Sequence, residues 1–198
     1  MKKRCQWVNG AFDEYIKYHD EEWGVPVHDD KILFEFLTLE GAQAGLSWST
    51  ILKKRNGYRI AFANWEVEKV AGFDEDMIRQ LMRNPNIVRN QLKIRSTVTN
   101  AQKFIHVQDL FESFNNYLWS FVEGQPIVNQ HHSVQEIPAS TAVSDIISKD
   151  LKKRGFKFVG TTIIYAYMQA VGLVNDHTTD CFRYGDLKIG DLKISNLE

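Results

Sequence analysis

Residues 152–181 read KKRGFKFVGTTIIYAYMQAVGLVNDHTTDC, and this stretch limits the chain's options more than any other. A basic turn holding Gly155 and Gly160 joins two helical segments. An apolar helix follows, and then His177 and Cys181, four residues apart. Glycines let backbone come close to a ligand, and the helix behind them starts with unpaired N–H groups and a positive dipole end. His177 and Cys181 share one face of a helical turn. As ligands they would need partners from elsewhere in the chain.

The rest of the chain points to one helical domain. Its 198 residues can bury a core without disulfides. No apolar run reaches the length of a membrane span. The start, MKKRCQWVNG, lacks the apolar stretch of a secretory signal. A reducing cytoplasm is therefore expected, with two cysteines that do not form a disulfide. The net charge of −1 excludes a protein that coats polyanions wholesale. Basic clusters at Lys2–Arg4, Lys53–Arg59, Arg89–Arg95 and Lys152–Lys157 still allow a local phosphate grip.

Helical spacing predicts a short helix over Phe12–Tyr18. A second is capped by Asp29 or Asp30, with Ile32, Leu33, Phe36 and Leu37 on its buried stripe. Gly45 breaks it, and Ser47 or Ser49 caps a helix from Thr50 to Phe62. Asp74 caps another that ends near Arg83. A long helix is expected over Val88–Ile105, then a buried aromatic segment from Leu110 to Val122. Gly124–Pro138 is the longest loop. Ser140 or Thr141 opens a helix through Leu151, and Thr161–Val171 is the last helix, stopped by Gly172. Alternation fit for a strand is weak everywhere except near Lys157, so the expected class is all-α. The tail repeats GDLKI at Gly185 and Gly190 and reads as a terminal extension.

Three groups of residues carry chemistry. Lys153, Gly155, Lys157, Gly160, Thr161 and Thr162 form a turn suited to a sequence-independent phosphate grip. The plainer alternative is an ordinary αα-turn with exposed lysines. Cys5, His19, His177 and Cys181 are zinc-type ligands, and a closed set of four would be structural, stapling the two ends of the chain. Two buried free cysteines are the alternative. His28, His106, His131 and His132 have no cysteine nearby and are expected at the surface. Lastly, Glu40 sits in an apolar helix end, with Trp48 after it and Trp7, Tyr15, Tyr18 and Trp23 before it. A buried carboxylate is costly unless paired or employed. Aromatic faces around one carboxylate suit a flat, electron-poor base. Core tryptophans with a lysine-paired Glu40 are the alternative.

Several stretches together carry a resemblance. They are Arg4-Cys5-x-Trp7, the run from Tyr15 through Tyr18-His19-Asp20 to Trp23-Gly-Val-Pro26, LEGAQAGLSW from Leu39, ILKKR from Ile51, Trp119-Ser-Phe-Val122, and SDIISKDLKKRGFKFVGTTIIYAYMQAVGLVNDH with Cys181. The sequence resembles the 3-methyladenine DNA glycosylase I family of the helix-hairpin-helix superfamily over residues 1–181. That resemblance implies a single glycosylase domain at 1–183, with its hairpin element at about 144–172; the tail after Cys181, with its repeated GDLKI, departs from the family, and 184–198 is read as an extension. It implies structural Zn2+ on Cys5, His19, His177 and Cys181. It implies that Glu40, Tyr18 and Trp48 bind extruded 3-methyladenine and that Trp7, Tyr15 and Trp23 wall the pocket. Leu46 is expected to wedge into the gap left by the flipped nucleotide. Double-stranded DNA with alkylated bases is the expected partner of a monomeric chain. The expected reaction is hydrolysis of the N-glycosidic bond with no lyase step.

One position departs from the superfamily. Many members carry an aspartate in a Val-Asp-x-His stretch after the hairpin, and here the stretch is Val174-Asn175-Asp176-His177. Asn175 cannot act as a base. Catalysis is then expected to lean on the positive charge of the methylated base, with Glu40 holding the extruded state. The competing readings are a non-catalytic helix-hairpin-helix DNA-binding protein and a zinc hydrolase, and the latter would need an open ligand position.

Overall fold

The structure, a computed structural model, describes residues 2–186. The second GDLKI copy and most of the first lie outside the described residues. In chain order the helices are α1 (Asp13–Glu21), α2 (Asp30–Gln43), α3 (Trp48–Ala61), α4 (Val67–Ala71), α5 (Glu75–Leu81), α6 (Gln91–Phe111), α7 (Phe114–Ser120), α8 (Ala142–Lys153) and α9 (Thr161–Ala170). The all-α expectation holds. The one strand pair among the described residues is β1 (Ile127–Val128) running parallel to β2 (Val174–Asn175). No strand forms near Lys157, where the sequence showed its faint alternation. That segment is turn.

Local chemistry places most helix starts. Asp29 accepts from the Ile32 N–H at 3.0 Å, Ser47 from Thr50 at 3.3 Å, and Asp74 from Met77 at 2.9 Å. Thr141 and Ser144 form a reciprocal capping box at the start of α8. Asp30 does not cap its own helix. Its carboxylate accepts from the Phe114 and Asn115 N–H groups at 2.8 and 2.7 Å, so it caps α7 from across the chain. The long helix also runs further than its spacing suggested. It starts after Asn90, whose side chain caps it, and ends at Glu112, which takes a left-handed φ of 68°.

α2 is the central rod. It packs against α3, α6, α7 and α9. Phe36 through Ala42 are all buried, seven residues in succession, so this part of the helix has no solvent face. Ile32, expected on the buried stripe, is 40% exposed, because only the later turns of α2 are enclosed. Between α3 and α4, Ala63, Asn64 and Trp65 are all left-handed, with φ of 50°, 53° and 65°. Each such residue costs about 1–2 kcal/mol. The turn seats Trp65 in the core, with its ring parallel to Phe62 at 6.2 Å and edge-on to Phe34 at 6.4 Å.

The α8–α9 hairpin is held by groups buried beneath it. The Ser148 hydroxyl donates to the Val159 carbonyl at 2.6 Å. Asn100 of α6 grips Lys157 twice, accepting from its N–H at 2.8 Å and donating to its carbonyl at 2.9 Å. Gly155 sits at φ 95° under the Lys103 side chain, a conformation that favours glycine. At the other end of α9, Gly172 has φ 73°, and a Cβ there would lie 2.3 Å from the Val25 backbone. This contact presses the Trp23–Pro26 break against the end of α9, where Gly24 N–H donates to the Gln169 carbonyl and Val27 N–H to that of Val171.

Asn100→Ala removes both arms of the hairpin clamp and leaves the half-buried N–H and carbonyl of Lys157 without these partners. Urea unfolding is expected to show a loss of about 1–3 kcal/mol. An unchanged midpoint would show that the turn holds itself.

Candidate active site and metal centre

Burial on all sides is what sets the state of Glu40. The side chain is 4% exposed, on the enclosed part of α2, and its Oε2 has no hydrogen-bond partner among the described residues. Loss of solvation raises its pKa from an ordinary 4.5 to about 8. Tyr18 is pushed up chiefly by its own burial and then by the nearby Glu40, and Tyr15 by the same two causes in the same order.

Around this carboxyl lies a cavity of about 300 Å3 lined by Trp7, Tyr15, Tyr18, Trp23, Glu40, Gln43, Trp48, Val134, Ile137, Ala166 and Gln169. All five aromatic residues singled out in the sequence meet there, together with Glu40. Tyr18 and Trp48 stand 5.2 Å apart between ring centres, Trp7 and Tyr15 5.4 Å, and Trp7 and Trp23 5.0 Å. Trp48 Nε1 is a second buried polar atom without a partner among the described residues. The cavity thus offers an acidic group, an N–H donor and ring faces, and neither Glu40 Oε2 nor Trp48 Nε1 is satisfied from within. Buried polar atoms of folded chains are normally paired, so two orphans in one cavity point to a ligand.

Gln43, Val134, Ile137, Ala166 and Gln169 were not foreseen. Val134 and Ile137 reach the rim because β1 and β2 tie down the long loop: Ile127 N–H donates to the Leu173 carbonyl at 2.9 Å and Asn129 N–H to that of Asn175 at 3.2 Å. No local pattern signals a two-residue parallel pair. Lys93 was missed as well. Its ammonium donates to the Ala42 and Ala44 carbonyls at 2.8 and 2.6 Å, closing the C-terminal end of α2 next to Leu46. Leu46 itself is 41% exposed on the loop between α2 and α3.

Behind the aromatic wall, Cys5, His19, His177 and Cys181 are buried, and their ligand atoms lie within 4.8 Å of one another. Sγ of Cys5 is 3.5 Å from His177 Nδ1, and Sγ of Cys181 is 3.5 Å from both His177 Nδ1 and His19 Nε2. Bonds of about 2.3 Å to sulfur and 2.05 Å to nitrogen give tetrahedral S···N edges of about 3.5 Å. The remaining ring nitrogens are already engaged. His19 Nδ1 faces Asp20 at 2.8 Å, whose carboxylate is gripped by Arg4, and His177 Nε2 faces the Trp23 carbonyl at 2.9 Å. These contacts aim the other two nitrogens at the sulfurs, as the outer shell of a metal site does. The set can therefore hold a metal ion that links residue 5 to residue 181. It also backs the pocket, since Trp23 lies 4.6 Å from the His177 ring and Trp7 5.1 Å from that of His19.

The hairpin turn is laid out unevenly. Lys153, Lys157 and Thr162 are exposed. Gly160 is the residue before α9, with no side-chain cap on that helix, and an added Cβ would meet nothing within 4 Å. Its surface is therefore open. The Thr161 hydroxyl is engaged by Ser144 Oγ at 2.8 Å, so it ties the hairpin together.

Two further residues differ from their sequence reading or refine it. His131, expected at the surface, is largely covered, with Nε2 3.3 Å from the buried Asp176 carboxylate. Asn175 is 2% exposed and accepts the His177 N–H at 3.1 Å, which makes it a turn residue next to His177 of the Cys/His cluster. His28, His106 and His132 are exposed as expected.

Comparison with known proteins agrees with this geometry. Residues 7–184 match the family described as methyladenine glycosylase. The chain is 50% identical over 182 residues to DNA-3-methyladenine glycosylase 1 of Escherichia coli (strain K12), covering 92% of this chain and 97% of that protein. It is 46% identical over 181 residues to DNA-3-methyladenine glycosylase of Haemophilus influenzae, covering 91% and 97%. A crystal structure of a point variant of 3-methyladenine DNA glycosylase I in complex with 3-methyladenine superposes with a TM-score of 0.87 at 38% identity, over 90% of this chain and 96% of that one. A family match across nearly the whole chain, joined to an acidic aromatic pocket beside a helical hairpin, leads to one conclusion: this chain belongs to the methyladenine glycosylase family.

Proposed function

We propose that the chain excises 3-methyladenine from alkylated duplex DNA, releasing the free base and leaving an abasic site. The observation that carries this reading is the orphaned carboxyl of Glu40 inside an aromatic cavity. Methylation at N3 makes the nucleotide's base a cation. Ring faces and a carboxylate both favour a flat cation over a neutral base. A cation in the cavity draws the proton off Glu40, so an alkylated base gains a charge pairing that intact adenine lacks.

The bond between C1′ and N9 then breaks, and its electron pair goes to the base and cancels the positive charge. Water forms the new bond to C1′ and gives up a proton to solvent. A bond already weakened by the positive charge of the base needs little help from a base or counter-charge at C1′, which fits Asn175 standing where the superfamily has aspartate. Asp176 does not substitute. It is 1% exposed and accepts from Tyr165, Gln169 and Asn129. No lysine lines the cavity among the described residues, so nothing there would form a covalent link to the sugar, in keeping with simple hydrolysis.

We assign the DNA grip to Lys153, Gly155, Lys157, Gly160, Thr161 and Thr162, with Gly160's open face and the uncapped start of α9 meeting a phosphate. Leu46 is assigned as the wedge that fills the vacated stack. We read residues 1–183 as one domain with an extension at 184–198, acting as a monomer in the cytoplasm. The metal is assigned as Zn2+ from its two thiols and two imidazoles, in a closed and therefore structural site. It supplies a cross-link when bound and takes no part in the chemistry.

Four outcomes are expected. Glu40→Gln should lower release of 3-methyladenine from methylated duplex DNA by at least about tenfold, the value of a charged hydrogen bond, with DNA affinity nearly unchanged. Equal release by the two proteins would overturn the role. The same variant should be more stable. Since the folded-state pKa of Glu40 lies above its unfolded value, the folded parent holds the extra proton between pH 4.5 and 8. Parent stability therefore falls as pH rises through that window and levels off above it. The advantage of the variant should grow toward roughly 4 kcal/mol near pH 8, as read by urea unfolding at stepped pH.

Metal analysis should find one zinc per chain. Its removal should lower the melting temperature by roughly 10 °C or more and disturb tryptophan emission from Trp7 and Trp23. A metal-free chain that melts unchanged would refute the structural role. Finally, Gly160→Ala should weaken binding to undamaged duplex DNA at a folding cost of only about 1 kcal/mol, because the new methyl enters open space and the cost is that of a poorer helix cap. Unaltered affinity would place the grip elsewhere.

A further inference from the structure

Glu40 alone is a poor judge of purine type. As a carboxylate it accepts from the exocyclic amine of an adenine. In the same state it accepts equally from the N1–H or 2-amino group of a guanine. Strict choice between the two needs a second polar group whose direction cannot change.

Gln169 is that group. It stands in the last turn of α9 and lines the cavity with Glu40. Its backbone carbonyl is held by the Gly24 N–H at 2.9 Å. Its side-chain Nε2 donates to Asp176 Oδ2 at 2.8 Å. Asp176 is built to receive donors only. The Tyr165 hydroxyl donates to the same oxygen at 2.6 Å and Asn129 Nδ2 to the other at 2.6 Å, while His131 Nε2 lies 3.3 Å from Oδ1. A Gln169 amide turned the other way would set oxygen against oxygen. The carbonyl Oε1 is therefore the end left free. It has no protein partner among the described residues, yet it is not among the sealed-off unpaired atoms. That leaves it accessible on a side chain that borders the cavity.

We propose that Gln169 is a specificity-determining residue. Its locked carbonyl accepts one N–H of the extruded base's exocyclic amine and confronts the 6-oxo oxygen of a guanine with a second lone pair. Asp176 is its positioning residue. The two purines differ at this edge as donor against acceptor. A fixed acceptor left facing an acceptor loses its hydrogen bond and meets repulsion, which discriminates more strongly than a lost contact does. The inference rests on the reading of the cavity as a site for alkylated purines.

The test is single-turnover release of 3-methyladenine and 3-methylguanine from the same methylated duplex, by the full zinc-loaded chain. Gln169→Met keeps the volume and removes the carbonyl. The ratio of the two release rates should fall about tenfold, with 3-methyladenine slower and 3-methylguanine unchanged or faster. Asp176→Asn offers Gln169 a donor and frees its amide to turn, so it should lower the ratio too, with zinc content measured as a check on its neighbour His177. A purely structural role would slow both bases equally, and an unmoved ratio in Gln169→Met overturns the proposal. Failure of the parent chain to release 3-methyladenine would instead sink the reading of the cavity itself.

Discussion

A carboxyl group on the most enclosed stretch of the central helix is the constraint around which this fold is arranged. From Phe36 to Ala42 α2 is covered on every side, so Glu40 has no route to bulk water except through the cavity. The chain retains a group there whose ionised form burial disfavours. Such a position is unfavourable for folding and useful for binding a cation, the usual opposition between stability and a working site. The aromatic rings around it exclude water and make the charge, once formed, count for more.

The Cys/His cluster, which could hold a metal ion, supports that arrangement from behind. Trp7 and Trp23, which wall the cavity, rest on the rings of His19 and His177. His177 is in turn oriented by the Trp23 carbonyl, so pocket wall and cluster position one another. The two terminal segments are also joined by the Phe182 N–H, which donates to the Lys3 carbonyl at 2.9 Å, and by the Lys3–Asp180 ion pair at the surface. A metal ion bound at this point would order the walls of the site as well as the ends of the chain.

Much of this was legible because the informative residues are chemically out of place or obey local rules. A glutamate in an apolar helix, and two cysteines each with a histidine to pair, stand out without any knowledge of the fold. Asp29, Ser47 and Asp74 announce helix starts because a cap acts on N–H groups two or three residues away. What escaped notice is non-local. Asn100 clamps a turn 57 residues further on, Asp30 caps a helix 84 residues away, and Lys93 closes a helix about 50 residues before it. Nothing next to those side chains in sequence names their partners. The left-handed turn at Ala63–Trp65 was hidden for another reason: tertiary burial of Trp65 outweighs local preference. His131 was misjudged because the carboxylate that covers it comes from the far side of the hairpin.

α9 has its open start at the proposed phosphate grip and Gln169 in its last turn at the cavity. Ten residues of helix make a rigid strut of about 15 Å. On the proposed reading its length acts as a ruler: it would set how far a nucleotide must swing from the held backbone to the cavity. Lengthening the strut by one residue would also rotate its far end by about 100°, turning Gln169 away from the cavity while leaving the near end in place. Reach and orientation are therefore inherited together from one segment, and neither can drift without the other.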